Sequence, residues 1–169
     1  MLNAHQKQYI SSIPEDQIAK INPYNPAIEQ AFFVITARIK EAGINLPVRL
    51  LGSGSLKIAG NNDADISILC SAKDQEKFLP ALVNIFGEPK KGISIIKWEL
   101  NILGVDVEMY LTDPNKESTR EQLKLMDIFA QHPELVAEYE KIKLEHKDKP
   151  MRVYMEAKYN FFNHLIAKY

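Results

Sequence analysis

Apolar and polar residues follow each other along this chain in two distinct patterns, and each predicts its own kind of structure. Between residues 25 and 42 the apolar positions recur every three or four residues, which predicts a helix with one buried face. Residues 12–15, Ser-Ile-Pro-Glu, predict the start of a shorter helix, because serine caps helices and proline suits their first turn. The first part of the chain is therefore expected to be helical.

Strands are predicted in the middle of the chain, where apolar and polar residues alternate. The predicted strands cover residues 48–51, 63–70, 93–102 and 105–111. Leu103-Gly104, between the last two, predicts a tight antiparallel hairpin. A helix over residues 72–86, bent or split at Pro80, is expected within this region.

After Pro114 the helical pattern returns and continues to the end of the chain. The predicted C-terminal helices cover residues 116–131, 132–147 and 151–168. Helices, then strands, then helices predict an α+β fold: a small mixed β-sheet flanked by helices, with a helical C-terminus. At 169 residues, the chain is expected to form a single domain over 1–169.

Charge and cysteine content narrow the class of protein. With 21 basic and 22 acidic residues the formal charge is -1, so the overall charge of the protein does not attract nucleic acid. Nucleic acid stays open as a partner only through a local binding site. Cys70 is the sole cysteine, which rules out internal disulfides and favours a reducing compartment. Without a membrane-length apolar run or a signal peptide, the chain is expected to be cytoplasmic.

Four acidic residues share one predicted face of the sheet. Asp63 and Asp65 alternate with apolar residues in one strand, and Asp106 and Glu108 do so in another. Opposed like charges destabilise a sheet by up to roughly 1 kcal/mol per pair, and a bound divalent cation reverses that effect. Because Mg²⁺ prefers oxygen ligands, we predict Asp63, Asp65 and Asp106 as its ligands, Glu108 as a reserve ligand and Mn²⁺ as the alternative ion.

A glycine-serine segment precedes these acids and predicts an anion site. The backbone N–H groups of Gly52-Ser53-Gly54-Ser55 can bind a phosphate, and Lys57 can add a positive charge. The segment lacks the Gly-Lys-Ser/Thr ending of a P-loop, and Lys57 stands where a dinucleotide fingerprint needs glycine. The same residues also fit a plain turn, and the acids also fit the wet face of an antiparallel edge.

The order and spacing of these residues resemble the nucleotidyltransferase superfamily of the polymerase beta type. The resemblance rests on Leu51-Gly52-Ser53, on Asp63-Ala64-Asp65 and on Asp106 within Gly104-Val105-Asp106-Val107. In addition, AQHPELVAEYEKIKLEH (130–146) and YMEAKYNFFNHLI (154–166) resemble the C-terminal end of GrpB-family proteins, which share the nucleotidyltransferase fold. The chain departs from GrpB in its loop, where Leu50, Leu51 and Gly54 replace a His, a Val and a Thr, and in its complete Asp63/Asp65 pair.

The resemblance implies transfer of a nucleoside monophosphate from a nucleoside triphosphate to an unknown hydroxyl acceptor. It implies that Asp63, Asp65 and Asp106 hold two Mg²⁺ ions, while Gly52–Ser55 hold the β- and γ-phosphates. Tyr154 and Lys158 match the family's C-terminal motif, and the resemblance implies that they either line the nucleotide pocket or pack between helices. The alternative is a catalytically inactive module with the same fold that binds a nucleotide or a protein.

Overall fold

The computed structural model describes residues 1–92 and 95–169, and in these residues the chain forms seven helices and five strands. The helices are α1 (Ala4–Ser12), α2 (Ala27–Glu41), α3 (Gly52–Leu56), α4 (Gln75–Phe86), α5 (Glu117–Gln131), α6 (Pro133–Glu145) and α7 (Met151–Lys168). The strands are β1 (Val48–Leu51), β2 (Ala64–Leu69), β3 (Lys90–Gly92), β4 (Ile95–Ile102) and β5 (Val105–Thr112). The α+β prediction is confirmed.

The first helix differs from its prediction. A helix beginning at Ser12 is wrong, because α1 ends there and begins at Ala4. Its start is a capping box in which the Asn3 side chain accepts from the Gln6 amide at 2.8 Å and the Gln6 side chain accepts from the Asn3 amide. Two polar residues therefore determine where α1 begins.

Smaller differences occur in the middle of the chain. Helix α4 begins at Gln75 rather than residue 72 and passes Pro80 without a break. The short strand β3 was not predicted. Of the strand predicted over residues 93–102, Ile93 and Ser94 lie outside the described residues.

The described strands form one mixed sheet in the order β1-β2-β5-β4-β3. Strands β2 and β5 are parallel, and the other neighbouring strands are antiparallel. The β4–β5 hairpin is confirmed, with Leu103 at φ 55° and Gly104 at φ 79°, which is the backbone that a two-residue type I′ turn requires. The acidic strands β2 and β5 are thus direct neighbours.

One face of this sheet is buried against helices α2 and α4. Ile66 of β2 and Met109 of β5 are fully buried there, as are Ile35 of α2 and Leu82 of α4. Trp98 of β4 joins this core and donates its indole N–H to the Gly87 carbonyl at 2.7 Å. Because side chains alternate along a strand, the opposite face receives the polar residues.

The chain divides into two compact units. The first comprises residues 1–23, 58–61 and 123–169, and the second, which contains the sheet, comprises residues 24–57 and 62–122. In the first unit, Ile13, Ile21, Tyr154 and Met155 form an apolar cluster. The single domain over 1–169 stays a prediction. Within the described residues, no helix has the length and hydropathy needed to cross a membrane.

Candidate functional site

The pairing of β2 with β5 brings the predicted acidic residues onto neighbouring strands. Asp65 is paired with Glu108 in the parallel register. Asp63 and Asp106 each come directly before the paired residues Ala64 and Val107. Since Ala64 and Val107 are buried in the core, these four residues, at alternating positions, lie on the opposite face of the sheet.

Gly52 lies directly against the carboxylate of Asp65. A methyl group built at Gly52 would stand 2.5 Å from Asp65 Oδ2, and Gly52 has a φ of +64°. Both facts require glycine, since an L side chain disfavours this backbone and would overlap the carboxylate. The turn at Gly52 thus lets the chain leave β1 close to Asp65.

The glycine-serine segment is one turn of helix rather than an irregular loop. Helix α3 covers Gly52–Leu56 and ends where Lys57 adopts a left-handed backbone at φ 57°. Within it, the Ser55 hydroxyl donates to the Gly52 carbonyl at 3.0 Å. Gly54 is buried, and a methyl group built there would stand 2.8 Å from Ile28 of α2. Gly54 therefore serves the packing of α3 against α2.

Lys57, predicted as a phosphate contact, forms an ion pair with Glu29 of α2. Its ammonium lies 2.8 Å from Glu29 Oε1, and both side chains are exposed to solvent. The hydrogen bond from Lys57 lowers the pKa of Glu29, and the same bond raises the pKa of Lys57. The positive charge of Lys57 therefore lies against the carboxylate of Glu29 on α2.

The two acidic residues of β5 each have a partner on β4. Asn101 donates its side-chain amide to Asp106 Oδ1 at 3.0 Å, and both residues are exposed. Glu108 is bound at both oxygens: the Lys97 ammonium lies 2.6 Å from Oε1, and the Tyr110 hydroxyl donates to Oε2 at 2.8 Å. Glu108 is therefore held far more firmly than Asp106.

The ionisation of the groups around Glu108 reflects these contacts. Burial alone would lower the pKa of Lys97, but the hydrogen bonds to Glu108 and Glu99 outweigh it and raise the pKa. Burial and, after it, the hydrogen bond to Glu108 raise the pKa of Tyr110 to about 12. Lys97 therefore stays charged and Tyr110 stays neutral across the physiological pH range.

The oxygen atoms on this face fit Mg²⁺ in their chemistry, since carboxylates are the ligands it prefers. Asp65 Oδ2 is the nearest heavy atom to a methyl group built at Gly52, the first residue of α3. In residues 1–92 and 95–169, however, no three His, Cys, Asp or Glu side chains are gathered as a metal site. A metal bound by three acids thus requires these side chains to rearrange from the positions described here.

Comparison with known proteins identifies the family. The family model described as GrpB protein matches residues 18–168. This chain belongs to the GrpB family. The conserved protein GrpB from Enterococcus faecalis is similar in structure, with a TM-score of 0.63 and 16% identity over 88% of this chain and 98% of that chain. The search of curated proteins found no match.

A second solved structure extends the likeness beyond GrpB. The Cid1 poly(U) polymerase, solved with magnesium and 3′-dATP, matches with a TM-score of 0.50 and 14% identity over 82% of this chain and 45% of that chain. At these identities the likeness concerns the fold alone. The nucleotidyltransferase fold predicted from the sequence is confirmed.

The C-terminal residues that match the GrpB motif are packed within the helical unit. Tyr154 is buried, and the ammonium of Lys143 lies 5.7 Å from its ring centroid. The ammonium of Lys158 lies 5.6 Å from the ring centroid of Phe162. Tyr154 thus belongs to the packed interior of its unit, whereas Lys158 contacts a residue one turn further along its own helix.

Sequence reasoning missed the β4 residues that bind the acids. Lys97, Glu99 and Asn101 alternate with the core residues Trp98 and Leu100, so their shared face was readable from the sequence. The two-residue turn then determines the register, which pairs Glu99 with Glu108 and Asn101 with Asp106. Applying that register would have found the contact of Asn101 with Asp106 and placed Lys97 diagonally beside Glu108.

Proposed function

We propose that this GrpB-family protein binds a nucleoside triphosphate with Mg²⁺ on the polar face of its sheet and transfers the nucleoside monophosphate to a hydroxyl acceptor. The observation that supports this most directly is the contact between Gly52 and Asp65, which joins the glycine-serine turn to the acidic strand. The parallel pairing of β2 and β5 adds a second acidic strand beside it. The proposal needs both halves, one for phosphates and one for the cation.

In this proposal each group has one role. Asp63, Asp65 and Asp106 hold Mg²⁺, with Mn²⁺ as a substitute ion, through carboxylate oxygens. The backbone N–H groups of α3 bind the β- and γ-phosphates, because N–H groups in the first turn of a helix lack carbonyl partners within it. Ser53 and Ser55 lie in that turn. Lys57 would contact the phosphates by exchanging its ion pair with Glu29, since both side chains are exposed and such pairs contribute little stability.

The proposed reaction is one displacement at phosphorus. The acceptor oxygen bonds to the α-phosphorus, the bond from that phosphorus to the bridging oxygen breaks, and pyrophosphate leaves with the electron pair. The hydroxyl proton passes to solvent. Bound Mg²⁺ supplies charge that favours the deprotonated acceptor and the leaving pyrophosphate. The chain itself positions the two substrates, which is its main contribution in phosphoryl transfer.

Thermal unfolding against each nucleoside triphosphate, with and without Mg²⁺, tests the binding step. A ligand at about 100 times its dissociation constant stabilises the native state by roughly 2.7 kcal/mol. We expect a Mg²⁺-dependent stabilisation that Asp65→Asn abolishes. Asp127→Asn is the matched control, since Asp127 is an exposed aspartate of α5. Release of pyrophosphate with candidate acceptors, nucleic acid included, tests the transfer; no binding and no transfer with any triphosphate would refute the proposal.

A specific observation favours a second candidate, a module that binds a nucleotide or a protein without catalysis. Asp106 and Glu108 both have protein partners, and the described residues contain no three-ligand metal group. Such a module would bind triphosphate without Mg²⁺, or bind none at all. Its biological effect would survive Asp63→Asn and Asp65→Asn, whereas a metal enzyme would lose nearly all activity.

A further inference from the structure

Three carboxylates stand in a row across the centre of the sheet. Glu99 of β4 is paired with Glu108 of β5, which is paired in turn with Asp65 of β2. Directly opposed like charges destabilise neighbouring strands. The row therefore needs a positive charge, and the chain supplies one beside Glu108.

That charge is the ammonium of Lys97. It lies 2.6 Å from Glu108 Oε1 and 3.1 Å from Glu99 Oε1, and only 20% of the Lys97 side chain is exposed. Lys97 is also paired with Tyr110, whose ring centroid is 5.6 Å from the ammonium and whose hydroxyl donates to Glu108 Oε2 at 2.8 Å. Two donors thus occupy the two oxygens of Glu108.

We propose that Lys97 is a positioning residue that holds Glu108 out of the cation site. The ammonium neutralises Glu108 as a divalent cation would, so the ligands for Mg²⁺ are confined to Asp63, Asp65 and Asp106. This inference rests on the proposed function. It explains why Glu108, which is paired directly with Asp65, is not an additional ligand.

Calorimetry of Mn²⁺ binding to the full chain, in the absence of nucleotide, tests the role of Lys97. In Lys97→Met the Glu108 carboxylate loses the Lys97 ammonium and becomes available to Mn²⁺. We therefore expect Mn²⁺ to bind about tenfold tighter or more, which is the range by which residues that contact metal ligands alter metal affinity. Lys97→Arg should keep the wild-type affinity. The gain should vanish in the double variant Lys97→Met/Glu108→Gln. Lys90→Met is the matched control, because Lys90 pairs with Glu99 and is exposed.

The opposite result is equally clear. If Lys97→Met binds Mn²⁺ no tighter than wild type, or if Glu108→Gln in the wild-type background weakens binding as much as Asp65→Asn does, the inference is wrong. If Lys97→Met does not fold, Glu108→Gln alone decides: unchanged affinity supports the inference and a loss overturns it.

This test separates the inference from the proposed function. If the wild-type chain binds no Mn²⁺ without nucleotide, the proposed function is still decided by the unfolding test with triphosphate, and Lys97→Met still reports on Glu108. A gain of Mn²⁺ binding in that variant supports the role of Lys97, and no binding in either protein overturns it.

Discussion

Substitution of Gly52 by alanine tests the contact that joins the turn to the acidic strand. Alanine at φ +64° brings a backbone strain of about 1 to 2 kcal/mol. In addition, its methyl group would stand 2.5 Å from Asp65 Oδ2, so the carboxylate must move. Overpacking of this kind destabilises a protein by typically about 1 to 3 kcal/mol. We therefore expect Gly52→Ala to lower the free energy of unfolding by about 2 to 5 kcal/mol.

A second glycine separates the two contributions. Gly43 has a φ of +72°, and a methyl group there would meet nothing within 4 Å. Gly43→Ala should therefore show the strain alone, about 1 to 2 kcal/mol. Denaturant unfolding of both variants measures the difference, which is the effect of the Asp65 contact.

Removing the Asp65 carboxylate should relieve the contact. In an Asp65→Ala background the nearest atom beyond the neighbouring residues would be the β-carbon of residue 65, which lies 3.8 Å from the methyl group, an ordinary contact. Gly52→Ala should then destabilise only as much as Gly43→Ala does. Equal losses for Gly52→Ala and Gly43→Ala in the wild-type background, or no relief by Asp65→Ala, would refute the reasoning.

Three further predictions concern the hairpin and its two faces. Leu103→Asn should raise the free energy of unfolding by about 1 kcal/mol, since asparagine tolerates the φ of 55° that the exposed Leu103 adopts; denaturant unfolding without a gain would contradict this. Trp98→Phe should lower it by about 1 to 3 kcal/mol, because the Gly87 carbonyl loses its 2.7 Å donor, and the same assay checks this loss. Burial and the bond to Glu108 raise the pKa of Tyr110 from 10.0 to about 12. The stability that the neutral phenol contributes below pH 10.0 is therefore lost as the pH rises through about 12. Tyr110→Phe should lack this loss in alkaline unfolding.

The predictable part of the fold is the part in which apolar residues are periodic. The bounds of β1 and α7 agree with the sequence pattern, and the positive φ values of Leu103 and Gly104 confirm the hairpin. Helix α1 escaped prediction because it contains no buried residue and depends on a capping box. The start of helix α3 at Gly52 was not predicted because glycine and serine are poor helix formers in isolation, and packing of Gly54 against Ile28 outweighs that preference.

The candidate site shows the same distinction between what periodicity determines and what individual side-chain contacts determine. Alternation in β2 and β5 was sufficient to assign the acids to one face, because the period of a strand determines which way each side chain points. Alternation does not determine which donor a flexible side chain reaches. The pairing of Lys57 with Glu29 joins two elements that are distant in sequence, so no local sequence pattern predicts it. The register of the hairpin, in contrast, places Lys97 opposite Tyr110 and diagonal to Glu108, which is within reach of a long side chain.

The two acids of β5 differ in what a cation would have to displace. Asp106 is exposed, and Asn101 reaches only its Oδ1 atom through a neutral amide. This bond joins an amide to a carboxylate at an exposed position, where water competes for both groups, so a divalent cation can replace it. Glu108 is half-buried and bound by a charged ammonium and a half-buried phenol. Removing one partner of such a pair leaves an uncompensated charge, which costs far more. Under the proposed function, Asp106 is therefore the β5 acid suited to join Asp63 and Asp65 as a ligand of Mg²⁺, while Glu108 stays bound to Lys97 and Tyr110.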